Sequence, residues 1–131
     1  MEEKGIVILL DCDVLVEAQR GRPEAAVWLR NVTDVALPAP VAWEMLFGSR
    51  DKQELTRSQR FLESFAVEPI TPEDSDLAQK LIVAHVLKSG LSLPDFLIAA
   101  QALNRAATLY TFNRKHFSAI PKLDVREPYR R

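Results

Sequence analysis

The sequence predicts an α/β fold, a three-layer α/β/α sandwich with a mostly parallel central sheet. Three observations carry that expectation. Ile6 to Leu10 is an unbroken run of branched aliphatic residues, the pattern of a strand buried on both faces of a parallel sheet. Strand-like and helix-like segments then alternate along the chain, and parallel strands need crossovers that cover both faces of their sheet. The eight prolines fall between periodic segments rather than within them, so they punctuate elements instead of breaking them.

Taken in order, the first strand is Ile6 to Leu10. A helix follows to about Arg20, ended by Gly21, and a second starts near Pro23 and carries Ala26, Val27 and Leu29. Asp34 to Leu37 reads as a short strand stopped by Pro38 and Pro40. Between Pro40 and about Phe65 the pattern gives two helices separated near Ser49 to Lys52, with Leu55, Phe61, Leu62 and Phe65 as an apolar stripe on the second. Val67 to Ile70 is extended. Thr71-Pro72-Glu73-Asp74 has the N-cap, N1 proline and N3 acid of a helix start, opening a helix to about Lys88. Ser92-Leu93-Pro94-Asp95 repeats that signal and opens a helix to about Ala106. Thr108 to Thr111 and Leu123 to Val125 are the last strands.

The length of 131 residues suits one domain over residues 1–131. With 27% charged and 47% apolar residues, disordered, collagen-like and coiled-coil classes drop out. Eighteen acids against 17 bases leave a formal net charge of −1, so no broad basic surface holds a nucleic acid. An anionic substrate must be met by a local patch or by bound cations. The single cysteine, Cys12, cannot form an internal disulfide and points to a reducing, cytoplasmic compartment. The start MEEKGIVILL is acidic where a signal peptide is basic, and its apolar run is too short to span a membrane.

Ligands of such sheets sit beyond the carboxyl ends of the strands, where Asp11 and Asp13 leave the first one. Asp13 reads either as the cap of the following helix or as a residue that contacts the substrate or supports the ligands; Asp11 has no capping explanation. Glu44 lies about five positions into the helix from Pro40, and its helical neighbours Pro40, Val41, Phe47 and Gly48 put it on an apolar face. There it meets a desolvation cost of several kcal/mol unless a metal cation or an arginine faces it. Asp95 completes a capping box with Ser92, yet shares its face with Leu91, Ile98, Ala99 and Ala102 and so points inward. Three carboxylates without a Cys/His set suit a hard divalent ion, Mg²⁺ or Mn²⁺, rather than zinc. Acidic sites of that kind handle phosphate esters.

These residues resemble the PIN-domain ribonucleases, and specifically the VapC-type toxins of toxin–antitoxin pairs. The first motif is matched by Ile-Val-Ile-Leu-Leu-Asp11-Cys-Asp13-Val-Leu-Val-Glu and the second by Val41-Ala-Trp-Glu44-Met-Leu-Phe-Gly48. Leu93-Pro-Asp95-Phe-Leu-Ile-Ala-Ala100 matches the third, and Leu109-Tyr-Thr-Phe-Asn113-Arg-Lys-His116-Phe117 the fourth. The resemblance covers nearly the whole chain. It implies a Mg²⁺- or Mn²⁺-dependent endoribonuclease acting on single-stranded RNA or exposed RNA loops, with Asp11, Glu44 and Asp95 as metal ligands. It also implies a cognate VapB-like antitoxin helix in an apolar groove around residues 40–65, and a homodimer. The family commonly has a fourth acid near Asn113 or His116, and neither position carries one here. Asn113 is left to ligate through its carbonyl or to hold a metal-bound water, and His116 to contact the phosphate. Cys12 stands where a hydroxyl residue is usual, and Ala39 just before the helix of Glu44 is a further departure.

Other residues carry two readings each. His85 lies in the arc of Leu77, Ala78, Leu81 and Ile82, which suits a packed, hydrogen-bonded histidine. Arg114 and Lys115 either ground an RNA backbone or are simply solvated, and Arg126, Arg130 and Arg131 face RNA or fray. Trp43, Met45, Leu46 and Phe47 offer more apolar surface than one helix face buries, as core or as a partner groove or dimer surface. Two other functions fit parts of the pattern. Asp11-x-Asp13 after an apolar strand also suits a haloacid-dehalogenase-like phosphatase with Asp11 as nucleophile, but Phe112-Asn113-Arg114 lacks the paired acids that family needs. A PIN-like RNA- or protein-binding module with a degenerate site is the other.

Overall fold

The structure, a computed structural model, describes residues 7–131. Ile6, which opened the expected first strand, and the acidic start before it, which bore on the signal-peptide expectation, lie outside the described residues.

The elements run β1 (Ile8–Leu10), α1 (Cys12–Gln19), α2 (Pro23–Arg30), β2 (Val35–Pro38), α3 (Ala39–Phe47) and α4 (Lys52–Leu62), then β3 (Ala66–Glu68) and α5 (Pro72–Ser89). They continue with α6 (Leu93–Asn104), β4 (Thr108–Tyr110), α7 (Arg114–Phe117) and β5 (Asp124–Arg126). The five strands form one sheet in the order β3-β2-β1-β4-β5, and every pairing is parallel. The expected mostly parallel sheet is therefore wholly parallel. β1 is its centre, with Leu9 opposite Ala36 of β2 on one side and Leu109 of β4 on the other. Leu9, Leu10, Leu37 and Leu109 are completely enclosed, which explains why the first strand reads as a continuous apolar run.

From β1 the chain steps outward to β2 and β3, then returns past β1 to β4 and β5. Right-handed crossovers in these two directions lay helices over opposite faces and give the three layers. The reversal falls between β1 and β4, the switch point at which open parallel sheets bind ligands beyond the carboxyl ends of their strands.

Local chemistry fixes the boundaries. β2 runs through Pro38 rather than stopping before it, and α3 starts at Ala39 with Pro40 in its first turn, where a missing N–H costs no hydrogen bond. Thr71 accepts from the Asp74 amide at 3.1 Å, and Asp74 accepts from the Thr71 amide at 2.9 Å, closing the expected capping box. α6 ends at Asn104, two residues before the expected Ala106, because Ala106 turns left-handed at φ +50°. The single turn α7 has four residues, too few to leave a periodic signature in the sequence. His85 is half-buried, and no hydrogen bond reaches its ring among the described residues, which corrects the expected hydrogen-bonded histidine. Trp43 and Phe47 are 57% and 93% exposed while Met45 is buried, so α3 does carry more apolar surface than it packs.

Candidate active site at the carboxyl edge of the sheet

Asp11 follows β1 directly, and its amide donates to the Tyr110 carbonyl at 3.0 Å, extending the ladder with β4 by one rung. Its backbone is extended, and its Oδ1 accepts from the Cys12 amide at 2.8 Å. Asp11, rather than Asp13, is thus the N-cap of α1, which corrects the expected cap; Asp13 is the second residue of the helix, within its first turn. Either acid is a good cap by type, and the extended backbone of Asp11 decides between them.

The other half of the site comes from the end of β4. The Thr111 hydroxyl donates to Asp11 Oδ2 at 2.7 Å and also lies 3.4 Å from Asp13 Oδ2. The Phe112 amide donates to Asp13 Oδ2 at 3.1 Å, and the Asn113 amide donates to the Thr111 oxygen at 2.9 Å. Thr111 is fully buried. It lies within the fourth motif, and a threonine one residue beyond an apolar strand, opposite an aspartate at the end of the neighbouring strand, is the signal in the sequence for its role.

Asn113 and His116 are linked to each other, Nδ1 to Oδ1 at 2.5 Å. The imidazole packs over Gly90, where a Cβ would meet His116 Cδ2 at 3.0 Å, and Gly90 is left-handed at φ +73°. A glycine is needed there on both counts. Arg114 and Lys115 are exposed. Asp95 is half-buried near the start of α6, and its Oδ2 accepts from the Ser92 amide at 2.9 Å, so the expected cap is present. Glu44 leaves α3 on its exposed side, beside the buried Val41 and Met45. The expectation that it projects from an enclosed apolar face is corrected accordingly.

Electrostatics tie the acids together. Burial, then the charge of Asp13, pushes the Asp11 carboxyl up to about 7 against the pull of the Thr111 and Cys12 hydrogen bonds, and Asp95 adds to the rise. Asp13 is also raised by burial, opposed by the Phe112 and Val14 amides and the Arg131 charge. Glu44 is raised by burial and then by Asp95. The Cys12 thiol, pushed up to about 12 by burial and by Glu44, Asp11 and Asp13, lies within the same negative field. Asp11, Glu44 and Asp95 make no salt bridge among the described residues, so the arginine partner allowed for Glu44 is not found. Asp13 Oδ1 is buried without a hydrogen-bond partner.

This donor set fits a hard divalent cation: oxygen atoms only, mutually repelling, and without a basic side chain on the three primary acids. Among the described residues no three His, Cys, Asp or Glu side chains are already gathered as a group that could hold a metal ion. Beside the acids a cleft of about 750 Å³ runs between α1, α3 and α4, with Cys12, Val16, Glu44, Met45 and Phe61 on its walls and Arg20 and Arg57 among its cations. Of the four acids, Glu44 alone reaches it. No helix among the described residues is long and apolar enough to cross a membrane.

Comparison with known proteins identifies the family. The family model described as PIN domain matches residues 8–123. Ribonuclease VapC19 of Mycobacterium tuberculosis is 33% identical over 129 residues, covering 92% of this chain and 98% of that protein. Ribonuclease VapC of Rickettsia bellii is 28% identical over 127 residues, covering 90% and 93% of the two chains. Among solved structures, a toxin–antitoxin complex from Klebsiella pneumoniae superposes with a TM-score of 0.77 at 26% identity, covering 95% of this chain and 99% of that one.

Proposed function

The chain belongs to the PIN domain family, and on that premise we propose that it is a Mg²⁺- or Mn²⁺-dependent endoribonuclease acting as the toxin of a toxin–antitoxin pair. The observation that carries the reading is the state of Asp11: a buried carboxylate at the sheet's switch point, pushed to about 7 by burial and by neighbouring acids, with no basic side chain on it. Such a group is costly to keep charged and is compensated by a bound cation. The ribonuclease names of the two curated relatives supply the reaction class.

Asp11, Glu44 and Asp95 would hold the ion. When bound, it supplies charge neutralisation at the scissile phosphate and activation of water at neutral pH. The chain's own residues do the rest. Thr111 and the Cys12 amide fix the Asp11 carboxylate in one orientation. Asp13 is held on one oxygen by the Phe112 amide, and its Oδ1 remains a buried acceptor without a hydrogen-bond partner. Asn113, steadied by His116, and the exposed Arg114 lie where a phosphate backbone can be contacted. A site at the switch point suits single-stranded RNA or exposed loops, whose nucleotides can be splayed.

The relative from Klebsiella pneumoniae is described as a toxin–antitoxin complex, which supports a VapB-like antitoxin here. The cleft between α1, α3 and α4 extends the expected groove around residues 40–65 to include α1, and its mix of Val16, Met45 and Phe61 with Arg20 and Arg57 suits an amphipathic helix carrying acids. The exposed Phe47 on α3 and Leu87 on α5 supply apolar surface for a homodimer.

The test is cleavage of a mixed single-stranded RNA pool with Mg²⁺, Mn²⁺ or EDTA, comparing wild type with Asp11→Asn, Glu44→Gln and Asp95→Asn. Cleavage that needs the divalent ion and is lost in the variants is expected. Cleavage in EDTA, or full activity in all three variants, sinks the proposal. Turnover of a small phosphomonoester through a phosphoaspartate would assign Asp11 as a phosphatase nucleophile instead.

A further inference from the structure

We propose that Arg131 and Tyr129 are positioning residues that clamp the turn after β4 against α1 and thereby set the amides that hold the acidic site, an inference that rests on the nuclease reading of that site.

The clamp is built on Glu17, whose largely buried carboxylate points out of α1. Tyr129 donates its phenolic hydrogen to Glu17 Oε1, and Arg131 donates to Glu17 Oε2 at 2.8 Å. Arg22, at 3.5 Å from Oε2, adds a third partner from the loop before α2. The same two residues close over Phe112: the Arg131 guanidinium lies 4.2 Å from the ring centroid, and the Tyr129 ring meets it edge-on at 5.2 Å. One carboxylate on α1 and one aromatic ring on the turn are therefore held by the same pair of side chains.

Phe112 matters because of its backbone. Its amide binds Asp13, and the residues on either side are Thr111, which holds Asp11, and Asn113, whose amide returns to the Thr111 oxygen. Fixing the ring fixes a three-residue stretch that carries the contacts to both aspartates. Hydrogen-bond geometry at a reacting centre is worth large rate factors per ångström of misplacement, so a contact with no direct access to the substrate still bears on turnover. The Glu17 partners also change the expected character of the tail: Arg131 is docked rather than frayed, and Arg126 is paired with Asp124 at 3.1 Å.

The experiment measures amide hydrogen exchange and RNA cleavage side by side in wild type, Arg131→Ala, Arg131→Lys and Tyr129→Phe. Arg131→Ala is expected to speed exchange at the Phe112 and Asn113 amides by about tenfold, while the core amides of Ile98 and Leu109 exchange as in wild type. In the same variant kcat falls by about fivefold or more, and KM stays within about twofold. Arg131→Lys keeps the charge but stacks less well and is expected to fall between; Tyr129→Phe keeps the ring and loses the hydroxyl, with the same sense. Wild-type exchange at Phe112 in Arg131→Ala overturns the clamp, and so does faster exchange with unchanged kcat. A wild-type chain that cleaves no RNA in any metal overturns the underlying nuclease reading instead, and the exchange data then report the clamp as structural only.

Discussion

The Thr111 hydroxyl donates to Asp11 Oδ2 across 2.7 Å, joining residues 100 positions apart at the ends of the two central strands. This bond lowers the Asp11 carboxyl against the rise that burial and Asp13 impose. Thr111→Val keeps the shape and removes the donor. It is expected to cost about 1–3 kcal/mol in chemical denaturation and about tenfold or more in kcat, with Thr111→Ser retaining most of both. Equal activity in the valine and wild-type chains would remove Thr111 from the site.

The raised carboxyl makes the metal-free protein sensitive to pH in a defined direction. Asp11 titrates at about 7 in the fold against an ordinary 3.8, so between those values the folded chain keeps a proton that the unfolded chain has lost. Unfolding free energy then falls as pH rises from about 4 to about 7, by up to about 4 kcal/mol, and stays low above. Urea denaturation in EDTA across that range checks it. Asp11→Asn flattens the dependence, and added Mg²⁺ raises stability more at pH 8 than at pH 5.

Asp74 behaves in the opposite sense. Burial pushes it up, but Arg105 at 3.0 Å, the Thr71 amide and Asn104 outweigh that and hold the carboxyl at about 2. Its stabilising effect is present above pH 4 and is lost as pH falls toward 2. Arg105→Met strands a buried charge and is expected to cost about 3–5 kcal/mol near neutrality, measured by denaturation. A change under 1 kcal/mol would contradict the network.

The cleft gives a binding prediction. If a partner helix with acidic residues fills it, Arg57→Glu reverses a cation on the wall and weakens association about tenfold or more at low salt, with the loss shrinking as salt is added. Titration calorimetry with the protein encoded beside this one reads it. Unchanged affinity would move the partner to another face.

The large exposed side chains on α3 separate packing from docking. Phe47→Ser is expected to leave the unfolding free energy within about 0.5 kcal/mol, because the ring is 93% exposed. Met45→Ser in the same helix costs several times more. A shift in sedimentation for the Phe47 variant would identify its surface as a self-association face.

The layers of the fold were legible because they rest on local patterns, such as an apolar run at Leu9 and Leu10 and a capping box at Thr71 and Asp74; the acids proposed for the site stand out for the same kind of reason, as Glu44 does beside Val41 and Met45. What could not be read depends on which strand neighbours which. Thr111 gains its meaning only from the pairing of β1 with β4, and Glu17 only from the return of Tyr129 and Arg131 onto α1. The misassigned cap came from a choice of one residue in the helix start, where Asp11 and Asp13 are both good caps and only the extended backbone of Asp11 decides. The exposure of Glu44 is not legible in the sequence, because spacing on a helix identifies a face but not what covers it.

The order β3-β2-β1-β4-β5 has a consequence for a chain still on the ribosome. Asp11, Glu44 and Asp95 are all synthesised before the strand that completes their setting, since Thr108–Tyr110 must insert beside Ile8–Leu10 before Thr111 can reach Asp11. An emerging chain therefore carries its acids for most of its synthesis without the hydroxyl that orients the first of them. The hydrogen bond that orients Asp11 therefore forms only after β4 has been synthesised and has paired with β1.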